Sequence, residues 1–166
     1  FADGAACAVI APPARDEPTR GELKFLGSQS FVVPNSTHLM GYDIMDGGTH
    51  LRLDRELPSA LAAQAPSRVQ QFLETHGLCA DDIAWWLFHP GGVKVLQSLE
   101  ETFGLSAAQS RFSWNVLSQH GNMSSASILY VISDFINSKA ARTGDRALVF
   151  GVGPGLTIEL ILLEQR

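Results

Sequence analysis

Two segments of this chain hold the residues best suited to chemistry. The first is His89-Pro90-Gly91-Gly92 and the second is Gly121-Asn122-Met123-Ser124-Ser125-Ala126. Each sets a polar side chain where a strand or loop gives way to a helix. A histidine and an asparagine so placed can hold a thioester carbonyl and stabilise the negative charge that develops on its oxygen. No cysteine in the chain stands where it would serve as their nucleophile, so the reading is of half an active site.

Each residue also has a plainer reading. His89 closes an apolar run, and Pro90 biases it away from helical geometry, so it can be an ordinary, satisfied histidine at a strand end. Gly91 and Gly92 then allow a sharp turn and the close approach of a ligand, and the N-terminus of the helix that follows favours anionic or polarised groups. Asn122 alone reads as a helix N-cap. Ser124 and the small residues after it leave room for tight packing or for a substrate. The run Gly151-Val152-Gly153-Pro154-Gly155 lacks the Lys-Ser/Thr end of a phosphate loop and precedes a strand, which argues against a nucleotide site. It reads as a hairpin turn or as a rigid cavity wall without side chains.

The elements that must position these residues follow from periodicity. Residues 7–11 read as a buried strand, 12–21 as a polar loop with prolines, and 23–34 as a second strand. Residues 35–48 are turn-rich, and 49–53 alternate like a short strand. Residues 58–76 carry apolar side chains at helical spacing, with Pro58 in the first turn and Gly77 as terminator. The continuous apolar run 83–88 is the pattern of a strand buried on both faces. Residues 91–103 form an amphipathic helix, 113–118 a short helix and 122–142 a long one, followed by strands at 146–152 and 157–163. That order predicts an α/β fold with a mixed sheet.

The chain has 166 residues, 45% hydrophobic and 17% charged, with net charge -5. It is long enough for one domain with a real core, and apolar enough to imply surface covered by another domain or subunit. The charge argues against nucleic acid, and the longest apolar runs are too short for a membrane span. Cys7 reads as a small buried hydrophobe and Cys79 as a loop residue. Two cysteines make neither a disulfide framework nor a metal site, and a reducing cytoplasm is the simplest setting. His38, His50, His76 and His120 show no metal-ligand spacing, though His120 adjoins the Asn122 turn and can help shape it. With Phe1 at its start and strand-like sequence directly after, the chain reads as cut from something longer.

The ordered strings Phe1-Ala2-Asp3-Gly4-Ala5-Ala6, His89-Pro90-Gly91-Gly92, Val116-Leu117-Ser118, Gly121 to Ala126 and Gly151 to Glu159 resemble the C-terminal half of a type III polyketide synthase of the chalcone and stilbene synthase family. The style of the chain suggests a bacterial member. The resemblance covers essentially all of residues 1–166. It implies a thiolase-like fold, of which this is the C-terminal half: a mixed sheet, a buried central helix beginning near Asn122, and covering helices. It also implies a Cys-His-Asn triad, with His89 and Asn122 as catalytic members and the cysteine in an N-terminal half absent from this chain. The implied substrates are acyl-CoA and malonyl-CoA, with no metal or redox cofactor, and the implied assembly is a homodimer in the cytoplasm.

Substrate-binding positions carried over by the resemblance are Phe1, Leu51, Gly91, Gly92, Ser124, Val152, Gly153 and Pro154. Phe1 matches the first of two family phenylalanines near the cavity mouth. Leu51 stands at the second, and Val152 replaces the phenylalanine of the last glycine loop. Both departures point away from a plant-like chalcone product and toward longer alkyl starters. A non-catalytic, acyl-CoA-binding or structural half-domain is the alternative, and a ketoacyl synthase that initiates fatty-acid synthesis is another. The ketoacyl synthase would call for a basic docking patch.

Overall fold

The computed structural model describes residues 1–10 and 23–166. Its strands are β1 (Leu23–Val32), β2 (Met40–Met45), β3 (Gly48–Leu53), β4 (Trp85–Phe88), β5 (Arg146–Gly153) and β6 (Thr157–Gln165). Its helices are α1 (Leu57–Glu74), α2 (Val93–Phe103), α3 (Ala107–His120) and α4 (Ala126–Ser138). Four strands make one sheet in the order β1-β6-β5-β4, and β2 and β3 pair as a separate hairpin. β4 runs parallel to β5, while β5 with β6 and β6 with β1 are antiparallel, so the sheet is mixed.

Side-chain alternation along the strands builds two cores. Trp86 and Phe88 on β4, Leu148 and Phe150 on β5, and Ile158, Leu160 and Leu162 on β6 face α1 and α2. Leu87, Ala147, Val149 and Leu163 face the other way, onto Phe112 and Val116 of α3 and Val131 and Phe135 of α4. A period of two in each strand sends successive residues to opposite faces. The apolar runs in β4 and β5 are continuous because both faces are covered. The result is an α/β/α sandwich, with the ends of β4 and β5 brought side by side.

Several elements depart from the sequence expectation. Residues 7–10 form no strand, and Cys7 is exposed. Among the described residues no strand lies beside this segment, so its apolar run has no ladder to enter. Residues 11–22 lie outside the described residues, and with them the loop expected at 12–21. The stretch 35–48 holds β2, which pairs with β3 across an Asp46-Gly47 turn. α3 is longer than residues 113–118, because Ser106 starts it by reaching the side chain of Gln109. α4 begins only at Ala126, since Ser124 takes a left-handed φ of 57° that a helix cannot continue through. It ends at Ser138, where Lys139 is also left-handed. Among the described residues no helix is long and apolar enough to cross a membrane.

Candidate active site

β4 ends where the chemistry would begin. The His89 N–H donates to the Phe150 carbonyl at 2.8 Å, which carries the parallel ladder one residue past the strand. The Gly91 N–H then turns back onto the His89 carbonyl at 2.8 Å. A methyl group built on Gly91 would lie 3.6 Å from His89 Cδ2 and 3.9 Å from Nε2, so the ring lies along the Gly91 backbone. Gly92 closes the turn by accepting the first backbone bonds of α2, from Val95 and Leu96. Burial costs the charged imidazole its hydration and holds the pKa of His89 below the ordinary 6.5. In this chain the ring is therefore neutral at pH 7.

Asn122 reaches this turn from the other side. Its Nδ2 donates to the Gly91 carbonyl at 3.1 Å, while its Oδ1 accepts the Ser124 N–H at 2.9 Å. The two bonds fix which way the amide faces. Of its two N–H donors, one goes to Gly91 and the other has no partner among the described residues. Asn122 thus closes an Asx turn; the N-cap position of α4 belongs to Ser125. The Ala2 N–H donates to the Asn122 carbonyl at 2.8 Å, and Gly4 lies so close that a side chain there would run into the Met123 thioether. The segment bearing Phe1, itself 78% exposed, is laid across the Asn122 loop.

The glycine run stands beside His89. Phe88 pairs with Phe150, so Gly151, Val152 and Gly153 continue β5 alongside the histidine turn. The β5–β6 hairpin then turns through Pro154, and Gly155 donates to the Met40 carbonyl at 2.9 Å, which ties the turn to β2. Leu51 lies on β3 opposite Tyr42, half-buried and linked to the glycine turn only through that hairpin. The structure therefore joins Gly91 and Gly92 to His89 in one turn, brings Asn122 onto Gly91 with Ser124 bonded to Asn122, and runs Val152 and Gly153 on the strand beside that turn; Phe1 meets the group only through the contact of Ala2 with the Asn122 loop. Leu51 is farther out. A cleft of about 560 Å³ opens between the end of β3 and the starts of α1 and α2, lined by Leu53, Arg55, Pro58, Lys94 and neighbours; neither His89 nor Asn122 lines it.

Among the described residues, neither cysteine is hydrogen-bonded to His89 or Asn122. Cys79 is exposed, and its thiol donates to the Asp82 carboxylate at the opposite end of β4 from His89. His120 packs edge-on against Tyr130. Two buried serines that sequence reasoning passed over lie beside the site. Ser113 Oγ accepts the Phe88 N–H at 2.9 Å, and Ser127 Oγ accepts the Met123 N–H at 2.7 Å.

The pattern that defines the C-terminal domain of chalcone and stilbene synthases matches residues 23–165. The chain is 34% identical, over 99% of its length, to a Bacillus subtilis (strain 168) protein named for chalcone synthase, of which it spans 46%. It is 32% identical, again over 99% of its length, to the 1,3,6,8-tetrahydroxynaphthalene synthase of Streptomyces peucetius subsp. caesius, spanning 44% of that protein. The crystal structure of PKS-I from the brown alga Ectocarpus siliculosus superposes with a TM-score of 0.82 at 28% identity, covering 93% of this chain and 42% of that one. The chain thus spans less than half the length of these relatives.

Proposed function

The chain belongs to the chalcone and stilbene synthases, as the C-terminal domain of a type III polyketide synthase with a thiolase-like fold, and from that premise we propose that it supplies the histidine and asparagine of a Cys-His-Asn acyl-transfer site. The N-terminal half of the same protein supplies the cysteine. The observation that carries this reading is the Gly91 carbonyl, which the Asn122 amide clasps from one side while the His89 ring lies along the same residue.

The thiolate attacks the carbonyl of an acyl-CoA, and coenzyme A leaves as its own thiolate. Malonyl-CoA then loses carbon dioxide, and the electron pair of the broken bond becomes the enolate of acetyl-CoA. That enolate attacks the acyl-cysteine carbonyl; a carbon–carbon bond forms and the cysteine sulfur leaves. Every step places negative charge on a thioester oxygen, where the free Asn122 N–H and a His89 N–H donate. With the thiolate beside it, His89 becomes an imidazolium and holds the sulfur in its nucleophilic form.

Phe1, Leu51, Gly91, Gly92, Ser124, Val152, Gly153 and Pro154 bound the substrate. Glycines at 91 and 92 admit the thioester close to backbone. Leu51 and Val152 leave space that favours a fatty acyl starter. Coenzyme A thioesters suffice for this chemistry, without metal or redox cofactor, and the full protein acts as a homodimer in the cytoplasm. Offering the full-length protein a panel of acyl-CoA starters with malonyl-CoA, and identifying the products by mass spectrometry, tests the reading. Polyketide formed by the wild type and lost in His89→Ala supports it; condensation that survives His89→Ala sinks it.

A further inference from the structure

β4 is an edge strand among the described residues, and alternate N–H groups of a parallel strand point to opposite sides. The His89 N–H points inward, to Phe150. The Phe88 N–H therefore points out of the sheet edge, where an unpaired donor in a dry core is costly. α3 covers that edge, and Ser113 on it accepts the Phe88 N–H. On the other side of the site, Met123 comes directly after Asn122, between the Asx turn and α4, and its N–H is taken by Ser127. Both serines are wholly buried, at 0% exposure. A hydroxyl in each place satisfies a backbone donor one residue from a candidate catalytic side chain.

We infer that Ser113 and Ser127 are positioning residues, which set His89 and Asn122 about Gly91 by holding the backbone beside each. The inference rests on the reading of His89 and Asn122 as the acyl-transfer pair. Neither serine touches the reacting atoms. A donor aimed at an oxyanion must be held within a fraction of an ångström, and a displacement of 1 Å can cost about 100-fold. Ser110 supplies the comparison. It is equally buried on the same helix, one turn earlier, and its hydroxyl serves the Glu100 carboxylate, away from the histidine turn.

The test uses the full-length protein with Ser113→Ala, Ser127→Ala and Ser110→Ala, each with its melting temperature. Ser113→Ala and Ser127→Ala should lower kcat by about 10- to 100-fold with the KM for acyl-CoA little changed, the pattern of an interaction lost in the transition state. Ser110→Ala should lower the melting temperature but keep kcat near wild type. Ser113→Cys, of similar shape and weaker as an acceptor, should fall between Ser113→Ala and wild type, and it serves if the alanine variant folds poorly. Equal kcat losses in Ser110→Ala and Ser113→Ala would make the role structural only and overturn the inference. A second readout does not need turnover. The His89 imidazole ¹⁵N resonances should move in Ser113→Ala and stay in Ser110→Ala, so a wild type that condenses nothing removes the acyl-transfer reading while the serine geometry is still judged. Unmoved resonances in Ser113→Ala overturn it.

Discussion

The Asn122 amide and the Gly91 carbonyl meet at 3.1 Å, and this one bond joins the loop before α4 to the turn after β4. It ties Asn122 to the turn that carries His89 and leaves the amide one N–H, which the proposed mechanism spends on substrate. Removing the side chain therefore deletes the proposed oxyanion donor and unties the histidine turn together. In the full-length protein, Asn122→Ala should lower kcat by about 100- to 1,000-fold. Asn122→Asp keeps the Ser124 bond but replaces the donor by an acceptor facing the Gly91 carbonyl, so it should be at least as damaging. Steady-state kinetics with a fixed starter decide it, and an Asn122→Asp enzyme near wild-type rate would remove the oxyanion role.

His89 gives a pH signature with a definite sign. Burial holds its folded pKa below 6.5. Above 6.5 the ring is neutral in folded and unfolded chain alike, and its stabilising share is complete. As pH falls through 6.5 the unfolded chain takes up a proton that the folded chain resists, so stability drops toward the folded pKa. A neighbouring thiolate reverses the balance by favouring the imidazolium. The His89 pKa, followed by NMR, should therefore be below 6.5 in this chain and higher in the full-length protein, and should fall again when the N-terminal cysteine is replaced by alanine. One pKa in all three would exclude the ion pair.

α4 presents a surface that this chain does not cover. Val131 and Phe135 are buried on the sheet side, while Leu129 and Ile132 are only half-buried and Ile136 is 39% exposed. Spacings of three and four residues set these three on one stripe. This stripe should make the chain self-associate when produced alone, since apolar patches beyond a few hundred Å² are uncommon on monomers. Light scattering should show mass rising with concentration, and Leu129→Gln with Ile136→Gln should reduce it. A concentration-independent monomer would count against a covering half. The same preparation should form no polyketide, because both its cysteines are exposed and neither contacts His89.

What the residues disclosed, and what they hid, follows from where each gets its partners. β4 was legible because a run buried on both faces stays apolar throughout, and the β5–β6 hairpin because Pro154 and Gly155 mark its turn. α3 was half hidden: its polar residues Ser110 and Ser113 break the apolar pattern, yet both are buried, their hydroxyls spent on Glu100 and on the Phe88 backbone. β2 was missed because Tyr42, Ile44 and Met45 are all exposed, which erases alternation, although Asp46-Gly47 is a strong hairpin signal. The expected strand at Cys7 failed for the opposite reason, an apolar run without a described strand to pair with. His89 and Asn122 were legible as residue types at turns. Their serine supports were not, since a hydroxyl accepting a backbone N–H from a distant element leaves no local pattern.

The proposed starter preference rests on two aliphatic side chains, Leu51 and Val152, which the family resemblance sets at the cavity wall. Val152 is half-buried near the end of β5 beside the histidine turn, and Leu51 is half-buried on the β2–β3 hairpin that Gly155 ties to the β5–β6 turn. Where an aromatic ring is replaced by an aliphatic side chain, a flat aromatic starter loses a face to stack on, worth about 0.5–1.5 kcal/mol beyond area burial, whereas an alkyl chain loses nothing comparable and gains volume. In the full-length protein, Leu51→Phe and Val152→Phe should each lower kcat/KM for long acyl-CoA more than for short, and the double variant should shift preference toward aromatic starters. The shift from each ring is about tenfold at most on that energy scale. Val152→Phe should have the larger effect, because residue 152 is in line with the His89 turn while Leu51 acts through its hairpin. Competition between fatty acyl-CoA and coumaroyl-CoA in one vessel measures the ratio directly. A wild type that prefers coumaroyl-CoA, or variants that slow long and short starters equally, would show that these two positions do not set the starter.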